Sequence, residues 1–521
     1  MTITRPATRE WLLLVAMLVI VWRYFWLMDD AFIYFRYVDN LVFLGRGLVY
    51  NPGEYVEGFT SPAWLILLVP FRALGLDYWT IVRFMSLPAA LSFGLLCIAI
   101  NRRLSPPDAP ILNLPLALAA GHYGIASYFS SGLEAPLVQV MAAVYAAAAL
   151  WPASSSLQVL VGSSPLIRPE FALTCLVFGA FRAIRDRRVP WSLVAGAVLS
   201  NGTWLLFRVY YYADLMPNTF YLKARMSWGQ GLAYLCNSLE PWSLVVPFAV
   251  GLGVLAFMMR HHLPSSEGAR ALMLTCAGVV AVWVVSIGGD MVYFRYMSFP
   301  VCLALLASGG IVETAILRVG GRSISPRARD LLVVGAFMAA FVSRPPQLAE
   351  LPWSLPASHK WSGIEDPMWH RERPDLRASS DRAQSDRELR QHYRLASTAQ
   401  RLGQHAMAIG WCRNAYFEFD KYVVHTYGLT DALLARVEAP WTRPGHKDVR
   451  ERAKSLARLE DTYAAHRGRG LYRFAVSQGA APAFITRNLA LVERIERQVY
   501  NSHRLLANLR MALRPVYRIP P

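Results

Sequence analysis

The sequence predicts a polytopic α-helical membrane protein of about eleven transmembrane helices, N-terminus inside and C-terminus outside, ending in an α/β soluble domain. Three observations carry that reading. The 521 residues are 55% hydrophobic and only 17% charged, with mean hydropathy +0.29, where a soluble domain would carry about a quarter charged residues. Apolar runs such as 11–28, 271–288 and 331–342 are almost free of charge. Much of the excess that gives the net charge of +18 sits in short loops between such runs, as cytoplasmic loops require. That distribution argues against a nucleic-acid partner, which would want its cations gathered on one surface.

With Arg5 and Arg9 inside, the run 11–28 carries Asp29 and Asp30 out of the membrane. It lacks the small-residue cleavage site of a signal peptide and reads as a retained helix. The segment 62–71 is too short to cross and reads as juxtamembrane or re-entrant, so that 81–100 returns the chain to Arg102 and Arg103. Runs at 110–129 and 133–151, then two shorter ones at 156–167 and 170–183, go out and back, ending at Arg182, Arg185, Arg187 and Arg188. Residues 190–210 exit, 241–259 return to Arg260, His261 and His262, 271–288 exit, 297–315 return, and about 330–344 leave the C-terminus outside. Residues 1–345 are therefore expected to form the membrane domain, with a first outer loop at 29–80. Residues 346–521, where apolar runs stop, form a soluble domain with helical stretches and short strand-like runs such as KYVVHTY. Four of the six cysteines lie in apolar runs; Cys236 and Cys412 are the only conceivable outer pair, and no disulfide framework is expected.

Sorted by side, Asp29, Asp30, Glu54, Glu57, Glu134, Glu170, Asp214 and Asp290 all fall on the outer face. Asp30 precedes a helix-compatible segment ending at Gly45, and one aspartate there is a good helix N-cap. Capping needs only one, and the neighbour about 100° away would face a cavity. The following GRGLVYNPGEYVEGFTSP is a turn-rich polar loop of the kind that carries sites. Arg168–Pro169–Glu170 interrupts an apolar run, either as a self-neutralising pair or as a guanidinium facing an anionic headgroup. Lys223, Asp290 and Arg295 stand at outer helix ends, where interface anchoring is the plainer reading. His122, inside its run, reads as a helix-packing histidine. Together, an outer carboxylate to take a proton from an alcohol and cations to stabilise a departing phosphate fit glycosyl transfer from a polyprenyl-phosphate sugar.

The order DDAFIYFRYVDNLVFLGRGLVYNPGEYVEGFTSPAW, SGLEAP, LIRPEFAL, YYYADLMPNTFYLK, GGDMVYFRY and VHTYGLTDALLAR with RPGHKD, over about residues 26–450, resembles the GT-C glycosyltransferases of the terminal β-(1→2)-arabinofuranosyltransferase type, which cap cell-wall arabinan in actinobacteria. The resemblance implies a GT-C fold, a decaprenyl-phosphoryl-arabinofuranose donor, an arabinan acceptor and a site on the outer face of the plasma membrane. It places Asp29 and Asp30 as the catalytic pair. Arg168, Lys223 and Arg295 become donor-phosphate ligands, and Glu54, Glu57, Glu134, Glu170, Asp290 and His446 further site candidates. The C-terminal domain would contact the acceptor glycan. Asp29, Asp30 and a loop Glu would suit a divalent Mg, Mn or Ca ion; no other cofactor is expected. The alternatives are transfer of mannose or another pentose, and a non-catalytic or lipid-sugar-flipping membrane protein.

Overall fold

The computed structural model of the protein describes residues 7–23, 25–105, 112–223, 226–239, 266–290, 294–311, 325–342, 405–409, 412–417, 421–443, 446–447, 449–468 and 470–520. The expected 241–259 span, Arg260, His261, His262, Arg318, Arg322 and residues 346–404 lie outside them. Among the described residues three helices are long and apolar enough to cross a membrane, Tyr78–Leu104, Trp191–Tyr212 and Glu267–Ile287, with shorter apolar helices at Pro62–Ala73, Ala135–Leu150 and Arg295–Ala307.

The chain packs as two compact units. The first takes Met1–Leu27, Trp79–Asn201 and Met226–Pro367; the second takes Met28–Tyr78, Gly202–Arg225 and Met368–Pro521.

The first unit is helical. Its centre is Ala135–Leu150, an alanine-rich helix buried nearly all round and packed by the Ser155–Ser163, Ser266–Ile287 and Ser298–Ala307 helices. Small side chains let helix backbones approach closely without losing contact. The same device works where Ser155–Ser163 meets Trp191–Gly196. A Cβ on Gly162 would lie 2.2 Å from the Leu193 carbonyl, and one on Gly196 would lie 2.4 Å from that of Val159. Tyr145 links the interior, its hydroxyl 2.9 Å from both Ser164 Oγ and Thr174 Oγ1. The run expected as one helix at 110–129 is broken. Leu114–Gly121 and Tyr123–Tyr128 meet at His122, whose backbone is extended and whose Nδ1 accepts the Ile125 N–H at 3.2 Å. The histidine thus caps a helix as well as packing in the interior.

The second unit knits three distant stretches around one core. Val56 of the first loop is buried among Tyr422, Val424, Leu434, Leu456, Ile485, Val492 and Ile519. The strand Tyr422–His425 pairs in parallel with Ala406–Ile409. On its other side the Asn51 side chain acts as a one-residue strand: Nδ2 donates to the Val423 carbonyl and Oδ1 accepts the Val423 N–H, both at 3.0 Å. Arg36, 1% exposed, donates to the carbonyls of Tyr50, Ala415 and Lys421. Asp39 gathers Arg72 at 2.7 Å, Tyr78 at 2.9 Å and Tyr416 at 2.7 Å. Asn218 of the PNTF segment donates to the carbonyls of Gly428, Leu429 and Asp431, and Asp214 takes Arg436 and Gln498, each at 2.7 Å. At Gly58 a Cβ would lie 2.9 Å from Thr430 Cγ2, so this contact between the FTSP loop and the GLTD segment admits only glycine without displacement.

Candidate functional site

Asp29 and Asp30 form the turn ahead of the Ala31–Val42 helix. The expectation that Asp30 caps that helix is corrected. Asp30 stands at the N-cap position with helical backbone (φ −58°, ψ −22°), and its side chain makes no capping bond. The first N–H groups, of Ala31, Phe32 and Ile33, turn back instead to the carbonyls of Met28, Asp29 and Asp30 at 3.0–3.2 Å. Backbone therefore closes the first turn, and neither carboxylate is spent on it.

Asp29 Oδ2 accepts the Cys412 N–H at 2.9 Å, the first amide of the Cys412–Phe417 helix, where the helix dipole favours negative charge. The Cys412 Sγ lies 3.1 Å from His425 Nε2, and His425 Nδ1 accepts the Tyr427 N–H at 3.3 Å. With Nδ1 an acceptor, the neutral imidazole carries its proton on Nε2 and donates it to sulfur. The thiol proton then points on to Asp29. Burial, and after it the charges of Asp29 and Asp30, push the Cys412 thiol well above its ordinary range, which keeps it a protonated donor. Asp29 is thus positioned by two neutral donors from one residue, backed by a buried histidine.

Asp29, Asp30 and Cys412 each offer a ligand atom within 4.8 Å of one another. The loop glutamates expected to join them are engaged elsewhere. Glu54 Oε2 accepts from Asn51 Nδ2 at 2.9 Å, and burial, then the charge of Asp431, raises its carboxyl far above the usual range. Glu57 is clasped by the Arg208 guanidinium and accepts the Trp204 indole N–H at 3.2 Å. Two carboxylates with a protonated thiol fit Mg²⁺ or Mn²⁺, which are held by one or two carboxylates plus substrate phosphate; Ca²⁺ wants six to eight oxygens.

The first unit holds a second cluster. Arg168 pairs with Glu170 at 2.6 Å, and Arg168 and Arg295 flank Glu134 at 3.8 Å each. Arg295 also meets Asp290 at 3.4 Å, and the Arg168 guanidinium lies over the Tyr296 ring at 4.2 Å. All five charged residues are less than a tenth exposed. The self-neutralising reading of Arg168 and Glu170 is what the geometry shows. Glu134 Oε2, buried, has no hydrogen-bond partner among the described residues. Lys223 ends the Asn218–Lys223 helix, half-buried. His446 lies in a two-residue strand, and its side chain falls outside the described residues.

Cys412 and His425 escaped the sequence reading. They stand 383 and 396 positions from Asp29; His425 opens the VHTYGLTD stretch without a role of its own in the sequence, and Cys412 is there only a conceivable partner for Cys236, whereas both cysteines are free.

In sequence the chain is similar to glycosyltransferases. The particular resemblance is to terminal beta-(1->2)-arabinofuranosyltransferases. The chain is 30% identical over 361 residues to the enzyme of that name from Mycobacterium tuberculosis, covering 60% of this chain and 56% of the relative. It is 26% identical over 340 residues to that from Corynebacterium glutamicum, covering 55% and 48%. The chain thus spans about half the length of the curated relatives it matches. No family profile matches it, and no solved structure does.

Proposed function

We propose that the chain is a membrane glycosyltransferase of GT-C type that transfers D-arabinofuranose from a polyprenyl-phosphate donor to a hydroxyl of a cell-envelope arabinan, on the outer face of the plasma membrane. The observation that supports it most is the adjacent pair Asp29 and Asp30, neither used as a helix cap and Asp29 held by Cys412, in a chain whose two curated relatives are named as arabinofuranosyltransferases. The acceptor O–H loses its proton to a carboxylate, the C1–O bond to phosphate breaks, and the new C1–O bond forms while polyprenyl phosphate leaves. A β-linked donor and a β product require retention, which two carboxylates achieve by dividing the work. Asp29, fixed by Cys412, meets the developing cation at C1, and Asp30 takes the proton. A Mg²⁺ or Mn²⁺ ion, when bound by Asp29 and Asp30, would neutralise the phosphate.

Arg168, Arg295 and Lys223 enter this reading as phosphate-facing cations. A guanidinium has five donors, more than the contacts of Arg168 to Glu170 and Glu134 engage. For the acceptor, the second unit offers a cleft of about 740 Å³ lined by His466, Phe474, Tyr500, Arg473, Glu493 and Asn501. His466 is stacked on Phe474 at 3.7 Å there, a surface suited to the apolar face of a sugar. The membrane division at residue 345 and the eleven-span, C-terminus-out topology belong to the same proposal.

The deciding experiment is sugar transfer by the purified protein from polyprenyl-phosphoryl-arabinofuranose to a short arabinan, wild type beside Asp29→Asn and Asp30→Asn. Transfer that vanishes in the variants supports donor and site together. A folded protein inert with this donor, yet active with a mannosyl or other pentosyl donor, keeps the reaction and changes the sugar. Inertness with all of them returns the non-catalytic reading.

A further inference from the structure

The helix Leu505–Ala512 has two unlike faces. One is buried: Asn508 is 0% and Ala512 1% exposed, and Asn508 Nδ2 donates to the Tyr210 carbonyl at 2.6 Å, tying this helix to Gly202–Tyr212 within the same unit. The other face is apolar and open. At about 100° per residue, Leu505, Leu509, Leu513 and Leu506 fall within one arc roughly 100° wide, and Leu506 and Leu513 are 73% and 62% exposed. Leu513, just past the last residue, keeps helical backbone and extends that arc. Arg510 and Arg514 take the next sector, Arg504 lies at the start, all three are exposed, and residues 503–520 contain no acidic side chain; Arg518, further on, pairs with Glu438 at 3.5 Å. Exposed leucines scattered singly need no explanation, but four on one arc do.

The partner helix identifies the occupant. Gly202–Tyr212 is the latter part of the 22-residue apolar run Trp191–Tyr212, and it exposes Leu205, Leu206 and Tyr210. A run of that length rises about 33 Å, enough for a hydrocarbon core of about 30 Å. Tyr210, Tyr211 and Tyr212 therefore reach headgroup depth, where aromatic residues gather. Leu505–Ala512 is bonded at that level: Asn501 Nδ2 also reaches the Tyr211 carbonyl at 3.0 Å, and His503 stacks on the Tyr211 ring at 5.1 Å.

We propose that Leu505–Ala512 is an interfacial anchor, its leucine face sunk among acyl chains and Arg504, Arg510 and Arg514 set against anionic lipid headgroups. An apolar face edged by arginines is the composition such helices need. Arginine stems lie along apolar surface while their heads stay wet, and anionic headgroups supply the opposite charge. The inference rests on the membrane reading and is independent of glycosyl transfer.

The test uses the full chain in nanodiscs with brominated acyl chains, an environment-sensitive fluorophore at Leu506→Cys, and exposed Cys236 replaced by Ser. Leu513→Cys serves as a second reporter should the first misfold, and exposed Gln478→Cys is the control. The expected result is blue-shifted emission quenched by bromolipid but not by aqueous iodide at 506 and 513, the reverse at 478, and weaker bromolipid quenching at 506 when Arg510→Gln and Arg514→Gln are added or anionic lipid is omitted. Iodide quenching at 506 and 513 would overturn the proposal. So would protection from both quenchers, which would mean that protein, such as a second copy, covers the face. Bromolipid quenching indifferent to lipid charge would overturn the assignment of the arginines.

Discussion

Glu134, Glu170 and Asp290 in the first unit and Asp29 in the second are held by different kinds of donor. In the first, Glu134, Glu170 and Asp290 sit against the guanidinium groups of Arg168 and Arg295. In the second, Asp29 is held by the N–H of Cys412 and the thiol that His425 orients. A guanidinium fixes a carboxylate by cancelling its charge. An amide and a thiol fix its position as neutral donors. An ion pair and a set of neutral donors answer differently to substitution, and the comparison predicts which variants lose stability first.

The largest effect is expected at the acidic pair. Asp29→Asn or Asp30→Asn should lower transfer about 10²–10⁴-fold, the range for a positioned acid–base group, with little change in melting temperature. A matching loss of stability would mean that the pair is structural. Arg168→Gln should do the reverse first, destabilising the first unit by about 3–5 kcal/mol by leaving buried carboxylates without their counter-charge. Thermal melting in detergent measures it, and Arg168→Gln with Glu170→Gln should recover part of the loss.

The second unit should also carry a pH dependence of its own. Burial pushes the Glu460 carboxyl up to about 7, against the pull of Arg467. A carboxyl raised in the folded state holds a proton that the unfolded chain has released. Its contribution is complete below the unfolded value near 4.5 and is lost as pH rises towards 7. Across that window stability should fall by about 3 kcal/mol, and the slope should flatten in Glu460→Gln. The smallest effect separates the donors at Asp29. Cys412→Ala should reduce transfer roughly tenfold, about 1–2 kcal/mol, and Cys412→Ser, which keeps a donor, should recover most of it. Equal activity of all three forms would dismiss the thiol.

Much of this could be read from the residues. The acidic pair, its turn-rich loop and the ordered motifs pointed to the arabinofuranosyltransferase resemblance, which the curated relatives bear out. Membrane-length apolar helices stand near three of the expected runs. The misses are tertiary. Asp30 is a favourable cap by type, yet carbonyls of Met28, Asp29 and Asp30 close the turn. His122 sits in an unbroken apolar run, and only its ring bonding to the Ile125 amide reveals a helix start. Cys412 and His425 gain meaning from a partner 383 residues or more away, and no periodicity reaches that far.

The second unit is written in three instalments. Asn51 leaves the ribosome 372 residues before its partner Val423, roughly 20–75 s at ordinary synthesis rates. Through that interval the loop bearing the acidic pair has neither its strand nor the cysteine that positions Asp29. Under the proposed reading, activity therefore waits for the last third of the chain, and a copy truncated before Cys412 should carry no transfer chemistry.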